Sequence, residues 1–83
     1  MFKVKLTAKA KRELKNLSKQ DKLRVGEIIE ELKETPLIGK PLLRELSKRY
    51  SYRVGVYRVI YKINQQEKIV EVLSATHRST AYN

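Results

Sequence analysis

The sequence predicts a small α+β domain: an N-terminal strand, an antiparallel helix hairpin, then a three-stranded antiparallel meander packed on the helices. Three observations predict this class. Residues 2–6 alternate apolar and basic side chains, residues 10–32 carry apolar side chains three and four apart, and residues 50–76 alternate again between turn residues. With 83 residues in all, we expect residues 1–83 to form one domain with a shallow, open site rather than a deep pocket.

The first strand and the first helix are predicted from a change of period near Thr7. Before Thr7, apolar and basic side chains alternate, as in a strand with one buried face. After it, apolar residues recur at intervals of four and three, which is the spacing of a short amphipathic helix. These residues are Ala10, Leu14 and Leu17. Thr7 is suited to cap this helix.

A second helix is predicted from Ser18 to about Thr35. Ser18 and Asp21 resemble a capping box, with Asp in the place of the usual Glu or Gln. Pro36 ends the helix, because the residue before a proline avoids helical dihedral angles. The apolar side of the helix consists of Val25, Ile28, Ile29 and Leu32. The short connection between the two helices predicts an antiparallel hairpin.

Residues 37–48 carry the weakest signal. Gly39 and Pro41 favour a loop, and we expect this segment to be a loop that leads into the first strand of the meander. The leucines at positions 42, 43 and 46 also fit one turn of helix.

The three strands of the meander separate tyrosines from arginines. Tyrosines occupy alternate positions on one side of the strands, and Arg49, Arg53 and Arg58 occupy the other. Gly55 and the Asn-Gln-Gln sequence at 64–66 supply the turns, and a last strand follows from Lys68 to about Thr76. We therefore expect the tyrosines to pack against the helices and the arginines to converge on the open face of the sheet.

The charge of the chain predicts a polyanionic partner. There are 19 basic and 9 acidic residues, a formal net charge of +10. Residues 1–24 hold nine basic and two acidic groups, whereas residues 25–36 hold one basic and four acidic groups. The positive field thus belongs to the first helix and the sheet, where nucleic acid is a natural ligand. Plain solubility is the alternative explanation for surface lysines.

Composition excludes several kinds of site. The sequence has no cysteine, so it forms no disulfide framework and no thiolate metal centre. It contains no Gly-rich phosphate loop and no apolar run near the ~20 residues that span a bilayer. We expect no metal, no cofactor and no membrane partner, and a cytoplasmic location.

The arginines of the sheet are the strongest candidate site. A planar guanidinium matches the oxygens of a phosphate, and clustered guanidiniums need solvent or an anion nearby. The alternative is that they merely discourage pairing at a sheet edge. His77, the one histidine, precedes Arg78 at the predicted strand end, where it could exchange protons near neutral pH. Tyr82 is equally suited to packing and to base stacking.

The chain resembles the RelE/ParE superfamily of bacterial and archaeal toxins. The resemblance covers essentially the whole chain and is carried by the element order, by R-V-G-V-Y-R-V-I-Y from Arg53 to Tyr61, and by H-R-S-T-A-Y from His77 to Tyr82. It implies a small RelE-like fold and a toxin of a type II toxin–antitoxin module. In the RelE branch, the toxin enters the ribosomal A site and cleaves mRNA through attack of a 2′-hydroxyl on the adjacent phosphate. In the ParE branch, the same fold inhibits DNA gyrase without catalysis.

The resemblance also implies roles for particular residues. Arg58 and Arg78 would stabilise the transition state, and Tyr82 would orient a base. In well-known RelE toxins a lysine pair precedes the tight turn, whereas this chain has Arg49 and Ser51 at those positions. Arginine is a poor base because it stays protonated. The candidates to replace the base are Lys48, Lys40 and His77. The RNA-binding candidates are Arg49, Arg53, Lys48 and Lys40.

The implied partners are a cognate RelB-like antitoxin, in a toxin–antitoxin hetero-oligomer, together with mRNA and the ribosomal A site. Two other functions stay open at this point. One is non-enzymatic inhibition of gyrase, which the absent lysine pair favours. The other is plain nucleic-acid binding without toxicity.

Overall fold

Two helices cover one side of a five-stranded sheet in the computed structural model, which describes residues 1–42 and 49–77. The strands lie in the order β1-β5-β4-β3-β2, and β1 runs parallel to β5 while the other neighbours are antiparallel. The elements are β1 (Lys3–Leu6), α1 (Ala8–Lys15), α2 (Lys19–Glu34), β2 (Lys40–Pro41), β3 (Tyr50–Val54), β4 (Tyr57–Asn64) and β5 (Ile69–His77). The predicted α+β class is confirmed.

The helix hairpin begins where the capping residues predict. The Thr7 hydroxyl accepts a hydrogen bond from the Ala10 backbone N–H at 3.1 Å, and the Ser18 hydroxyl accepts one from that of Asp21 at 3.1 Å. These bonds satisfy backbone donors that a helix start leaves unpaired. Neither of the two described helices has the length and apolar character needed to cross a membrane.

The core forms between the apolar sides of the helices and the tyrosine side of the sheet. Its fully or nearly fully buried members are Ala10, Val25, Ile28, Leu32, Val59, Tyr61, Val70, Val72 and Ala75. Tyr50 stacks on Tyr61 with ring centroids 5.5 Å apart. The tyrosines of β3 and β4 therefore face inward, as their alternation predicts, and the opposite side of the sheet is left uncovered by the helices.

The buried hydroxyl of Tyr61 fixes the segment between α2 and β2. It donates a hydrogen bond to the Pro36 carbonyl at 2.6 Å and accepts one from the Gly39 N–H at 3.0 Å. Gly39 has no room for a side chain, because a Cβ there would lie 2.5 Å from the Tyr61 hydroxyl oxygen. These two hydrogen bonds therefore hold residues 36–39 against the sheet.

The loop predicted at residues 37–48 is corrected in its first part. Residues 36–38 form a 3₁₀ helix, and β2 adds a further antiparallel strand to the sheet. Lys40 lies opposite Ser51, and the Leu42 N–H donates to the Arg49 carbonyl at 2.8 Å. A two-residue strand shows no periodicity, so sequence patterns cannot detect it. Residues 43–48 lie outside the described residues.

Helix α1 completes the edge of β5 beyond the end of β1. Thr7 donates from its backbone N–H to Val72 and from its hydroxyl to the Leu73 carbonyl at 3.1 Å. The Glu13 carboxylate accepts from the Ser74 hydroxyl at 2.9 Å and from the Ala75 N–H at 3.3 Å. Alternation predicts Ser74 on the arginine side, and Ser74 lies opposite Ile60, which lines the groove there. Its hydroxyl nevertheless reaches α1 at the edge of β5.

Candidate nucleic-acid interface

The uncovered side of the sheet, called here the arginine face, carries a row of side chains across three strands. Arg53 of β3 lies directly opposite Arg58 of β4, and Arg58 lies opposite Thr76 of β5. The next row joins Ser51 to Ile60. Antiparallel register thus places the two arginine side chains on the same face as neighbours, because directly opposed residues have Cβ atoms about 4.5–5.5 Å apart.

A groove runs along this face beside the 36–42 segment. It encloses about 620 Å³, and it is open to large ligands. Its polar lining includes Lys40, Ser51, Arg53 and Arg58, and its apolar lining includes Ile38, Pro41, Leu42 and Ile60. The Tyr61 hydrogen bonds fix this apolar wall, since they hold the 36–39 segment.

The charge of the two arginines is uncompensated. Among residues 1–42 and 49–77, no carboxylate lies within 4.0 Å of the guanidinium of Arg53 or Arg58. Like charges directly opposite on a sheet repel and destabilise it. A pair of guanidinium forks without a carboxylate partner has the donor geometry that binds phosphate oxygens. The arginine face is therefore a candidate anion site.

Lys40 is brought to this site by a strand that the sequence does not reveal. It lies opposite Ser51 in the β2–β3 pairing, and both line the groove that contains Arg58. Lys40 is exposed, and so is Arg49 at the start of β3. The candidates Lys40, Arg53 and Arg58 therefore come together. Sequence patterns could not predict that Lys40 joins this site, because residues 40 and 51 are brought together only by the β2–β3 register.

His77 lies on the other side of the sheet from Arg58. It is opposite Tyr57 in register, and the two rings meet edge to face with centroids 5.4 Å apart. The Tyr57 hydroxyl donates to the Asp21 carboxylate at the start of α2. This hydrogen bond lowers the pKa of Asp21 below its usual value and raises that of Tyr57. The structure places His77 with Tyr57 and Asp21, on the other side of the sheet from Arg53 and Arg58.

Three candidates, Lys48, Arg78 and Tyr82, lie outside the described residues. Their assignment to the site stays a prediction. Strand β5 ends at His77, directly before Arg78 in the sequence. It pairs with β4, the strand that carries Arg58.

Comparison with known proteins identifies the family. Residues 4–82 match the model of the ParE toxin of type II toxin–antitoxin systems. The chain is 36% identical over 83 residues to toxin RelG of Mycobacterium tuberculosis, covering 98% of this chain and 95% of that protein. It is 32% identical to toxin RelE of the same organism, covering 98% and 86%.

Solved structures agree with these matches. The crystal structure of the toxin–antitoxin complex RelBE2 from Mycobacterium tuberculosis contains a chain with 37% identity and a TM-score of 0.86, covering 93% of this chain and 98% of that one. The archaeal RelE–RelB complex from Pyrococcus horikoshii gives 27% identity and a TM-score of 0.78, covering 96% and 98%. The fold, the arginine face and these matches lead to one conclusion: the chain belongs to the ParE toxin family of type II toxin–antitoxin systems, within the RelE/ParE superfamily.

Proposed function

We propose that this toxin is a ribosome-dependent endoribonuclease that cleaves mRNA in the ribosomal A site and so inhibits translation. The observation that carries the proposal is the pair Arg53–Arg58, which has no carboxylate partner among the described residues and lines an open groove. The curated relatives named RelG and RelE favour this branch of the superfamily. The toxin would act in the cytoplasm, where its substrate is translated.

The reaction needs little from the protein beyond charge and geometry. The RNA 2′-hydroxyl loses its proton, its oxygen attacks the adjacent phosphorus, and the bond to the 5′-oxygen of the next nucleotide breaks. The products are a 2′,3′-cyclic phosphate and a 5′-hydroxyl, which takes up a proton. Arg58 binds the non-bridging oxygens as negative charge develops on them, and such preorganised cations are a large catalytic contribution. Arg78 stabilises the leaving oxygen, Tyr82 orients a base, and Arg49, Arg53 and Lys48 bind the RNA backbone.

Lys40 supplies the amine that β3 lacks. Positions 49 and 51 hold arginine and serine instead of a lysine pair, but β2 places Lys40 directly opposite Ser51. An amine delivered from the neighbouring strand reaches the same groove as Arg58. In this proposal Lys40 orients the 2′-hydroxyl and, in its neutral amine form, accepts its proton to become the ammonium ion. His77, on the opposite side of the sheet, acts by holding the end of β5.

The cognate partner is a RelB-like antitoxin that forms a hetero-oligomer with the toxin. This rests on the related structures, which are RelB–RelE complexes. Because the net charge is +10, we expect an acidic segment of the antitoxin to cover the arginine face. Complementary charge speeds association and selects the partner. Inhibition then follows from occlusion of the groove.

A second candidate function is inhibition of DNA gyrase without catalysis. The family model that matches residues 4–82 is described as a ParE toxin, which favours this reading. Both candidates use a basic face, but only the first predicts broken RNA.

Mapping mRNA 5′ ends after brief induction of the toxin separates the two candidates. We expect cuts within translated codons, each leaving a 5′-hydroxyl. Intact mRNA together with DNA damage would instead identify a gyrase inhibitor. The variant Arg58→Ala/Arg78→Ala should lose both the cuts and the toxicity.

A matched variant controls for lost charge. Arg24→Ala/Lys33→Ala also removes two cations, but from α2, away from the arginine face; Arg24 is exposed and Lys33 is half-buried. It should cleave and kill as the parent does. A toxic Arg58→Ala/Arg78→Ala variant, produced at the same level, would overturn the assignment of the catalytic arginines.

A further inference from the structure

A second cationic surface lies on the helix side of the molecule. It is called here the lysine face and consists of Lys9, Lys11, Arg12, Lys15, Lys19 and Lys22, all exposed. On α1, four of these side chains spread over the arc opposite buried Ala10, since 3.6 residues make one turn. Lys19 and Lys22 are exposed in the first turn of α2, which follows α1 directly in the chain.

The carboxylates nearest in sequence are turned away from this surface. Glu13 bonds to Ser74 and Ala75 of β5, and Asp21 accepts from the Tyr57 hydroxyl of β4. Within the described part of the chain, none of the six cations has a carboxylate within 4.0 Å. The next cation, Arg24, differs because it lies 4.0 Å from Glu27. The sheet thus binds Glu13 and Asp21, the two carboxylates among residues 1–24, while the six cations stay exposed.

The lysine face and the arginine face share no residue: the first lies on the helices, and the second on the side of the sheet that they leave uncovered. The helices cover the tyrosine side of the sheet, where Tyr57 and Tyr52 donate to carboxylates of α2. The arginine face is the other side. One polyanionic strand in the groove therefore leaves the lysine face free for a second polyanion.

The chemistry of the lysine face favours the backbone of base-paired RNA. Protein interfaces are enriched in aromatic residues and depleted in lysine at their centres, whereas residues 3–49 contain no aromatic residue and the surface is mostly lysine. Binding of single strands relies on aromatic rings that stack on bases, which this surface lacks. Lysine ammonium groups bind phosphates as point charges and carry no sequence preference.

We propose that the lysine face is a second RNA-binding surface, which binds the phosphate backbone of base-paired RNA while the arginine face holds the strand to be cut. The inference rests on the proposed function, because it assigns the toxin a position between two RNA elements. It adds a separate site with its own residues and a different RNA structure as its ligand.

The test measures binding of the full chain to a short blunt-ended RNA duplex by fluorescence anisotropy at several salt concentrations. For Lys11→Glu/Lys15→Glu we expect at least about tenfold weaker binding and a salt slope reduced by about 2, since each phosphate contact contributes about 0.9 to that slope. Lys11→Gln/Lys15→Gln removes the charges without reversing them and serves if the first variant does not fold, as judged by circular dichroism.

The matched control is Lys3→Glu/Lys5→Glu on β1, which changes the net charge by the same amount. It should lose much less duplex affinity than the α1 variant. Equal losses in the two variants would show that net charge alone drives binding, and this would overturn the proposal. Unchanged duplex binding by the α1 variant, with lost binding of an acidic antitoxin, would overturn it in favour of a protein partner.

A last comparison separates this inference from the proposed nuclease function. Arg58→Ala/Arg78→Ala should lose mRNA cleavage yet bind the duplex within about twofold of the parent, by the additivity of distant sites. If that variant also loses duplex binding, the two faces are one site and the proposal fails. If the parent cuts mRNA but Lys11→Glu/Lys15→Glu binds duplex normally, only the second surface is refuted.

Discussion

The two basic faces of this toxin are both positively charged, but one is built on paired strands and the other on helices. On the arginine face, strand register sets Arg53 against Arg58, and a wall fixed by Tyr61 borders their groove. On the lysine face, exposed lysines extend from a short helix into solvent. Charge alone attracts RNA, whereas catalysis needs cations held at fixed positions. Fixed geometry, more than charge, therefore makes the arginine face the candidate for catalysis.

The largest expected effect is a kinetic difference between the faces. Arg58→Ala should lower kcat for mRNA cleavage on programmed ribosomes by about 10²–10³, the usual cost of one preorganised donor in a transition state. Lys11→Ala/Lys15→Ala should mainly raise KM, because it weakens binding of ground state and transition state alike. Single-turnover assays over a range of ribosome concentrations measure both. If Arg58→Ala changes only KM, the arginine face binds RNA without catalysing its cleavage.

The second prediction concerns what holds the groove in shape. Tyr61→Phe removes the partner of both the Pro36 carbonyl and the Gly39 N–H inside the core. Leaving such groups unsatisfied should lower the free energy of unfolding by about 1–3 kcal/mol. Urea denaturation measures this change. Tyr52→Phe is the control, since its hydroxyl bonds to exposed Glu31, and its effect should be clearly smaller.

The third prediction tests the cost of the arginine pair. Arg53→Thr removes a like-charge contact with Arg58 and should raise the free energy of unfolding by about 0.2–1 kcal/mol. Lys62→Thr makes the same kind of change in β4, but Lys62 lies opposite Glu71, so it should lower stability or leave it unchanged. The two urea midpoints should move in different directions. A loss of stability in Arg53→Thr would mean that Arg53 has a structural role instead.

The smallest expected effect is on pH dependence, through Asp21 and Tyr57. The pKa of Asp21 lies below its usual 3.8 in the folded protein, because it accepts a hydrogen bond from Tyr57. This contribution to stability is present above the unfolded pKa and is lost as pH falls through the folded pKa. The pKa of Tyr57 is raised for the same reason, so its contribution is lost only as pH rises through that higher value.

Tyr57→Phe should therefore flatten the fall in urea midpoint at both the acidic and the alkaline end of the range. Tyr52→Phe should keep the acidic part of the profile, because it leaves the bond between Tyr57 and Asp21 in place. An unchanged acid profile in Tyr57→Phe would exclude this pair as a contributor.

Local patterns predicted most of the fold. The spacing of Val25, Ile28 and Leu32 gave the buried side of α2, and the alternation of tyrosines with Arg53 and Arg58 gave the two sides of the sheet. These signals lie within one element, where sequence period and structure correspond directly.

Non-local register accounts for what the sequence left undetermined. β2 has two residues and no period, so the meeting of Lys40 and Ser51 depends on tertiary pairing. Ser74 lies opposite Ile60, yet its hydroxyl reaches Glu13 of α1, a contact between residues far apart in sequence. The position of His77 beside Tyr57 likewise follows from the β4–β5 pairing.

The parallel pairing of β1 with β5 has a consequence for synthesis. Lys3 lies beside Ile69, and Leu6 beside Val72. This pairing can therefore form only after residues 69–72 have been synthesised. Contacts between residues so distant in sequence slow folding. While β5 is still inside the exit tunnel, β4 can pair only with β3, and Arg58 lacks Thr76 beside it. A ribosome making this toxin therefore finishes most of the chain before the five-stranded sheet can be complete.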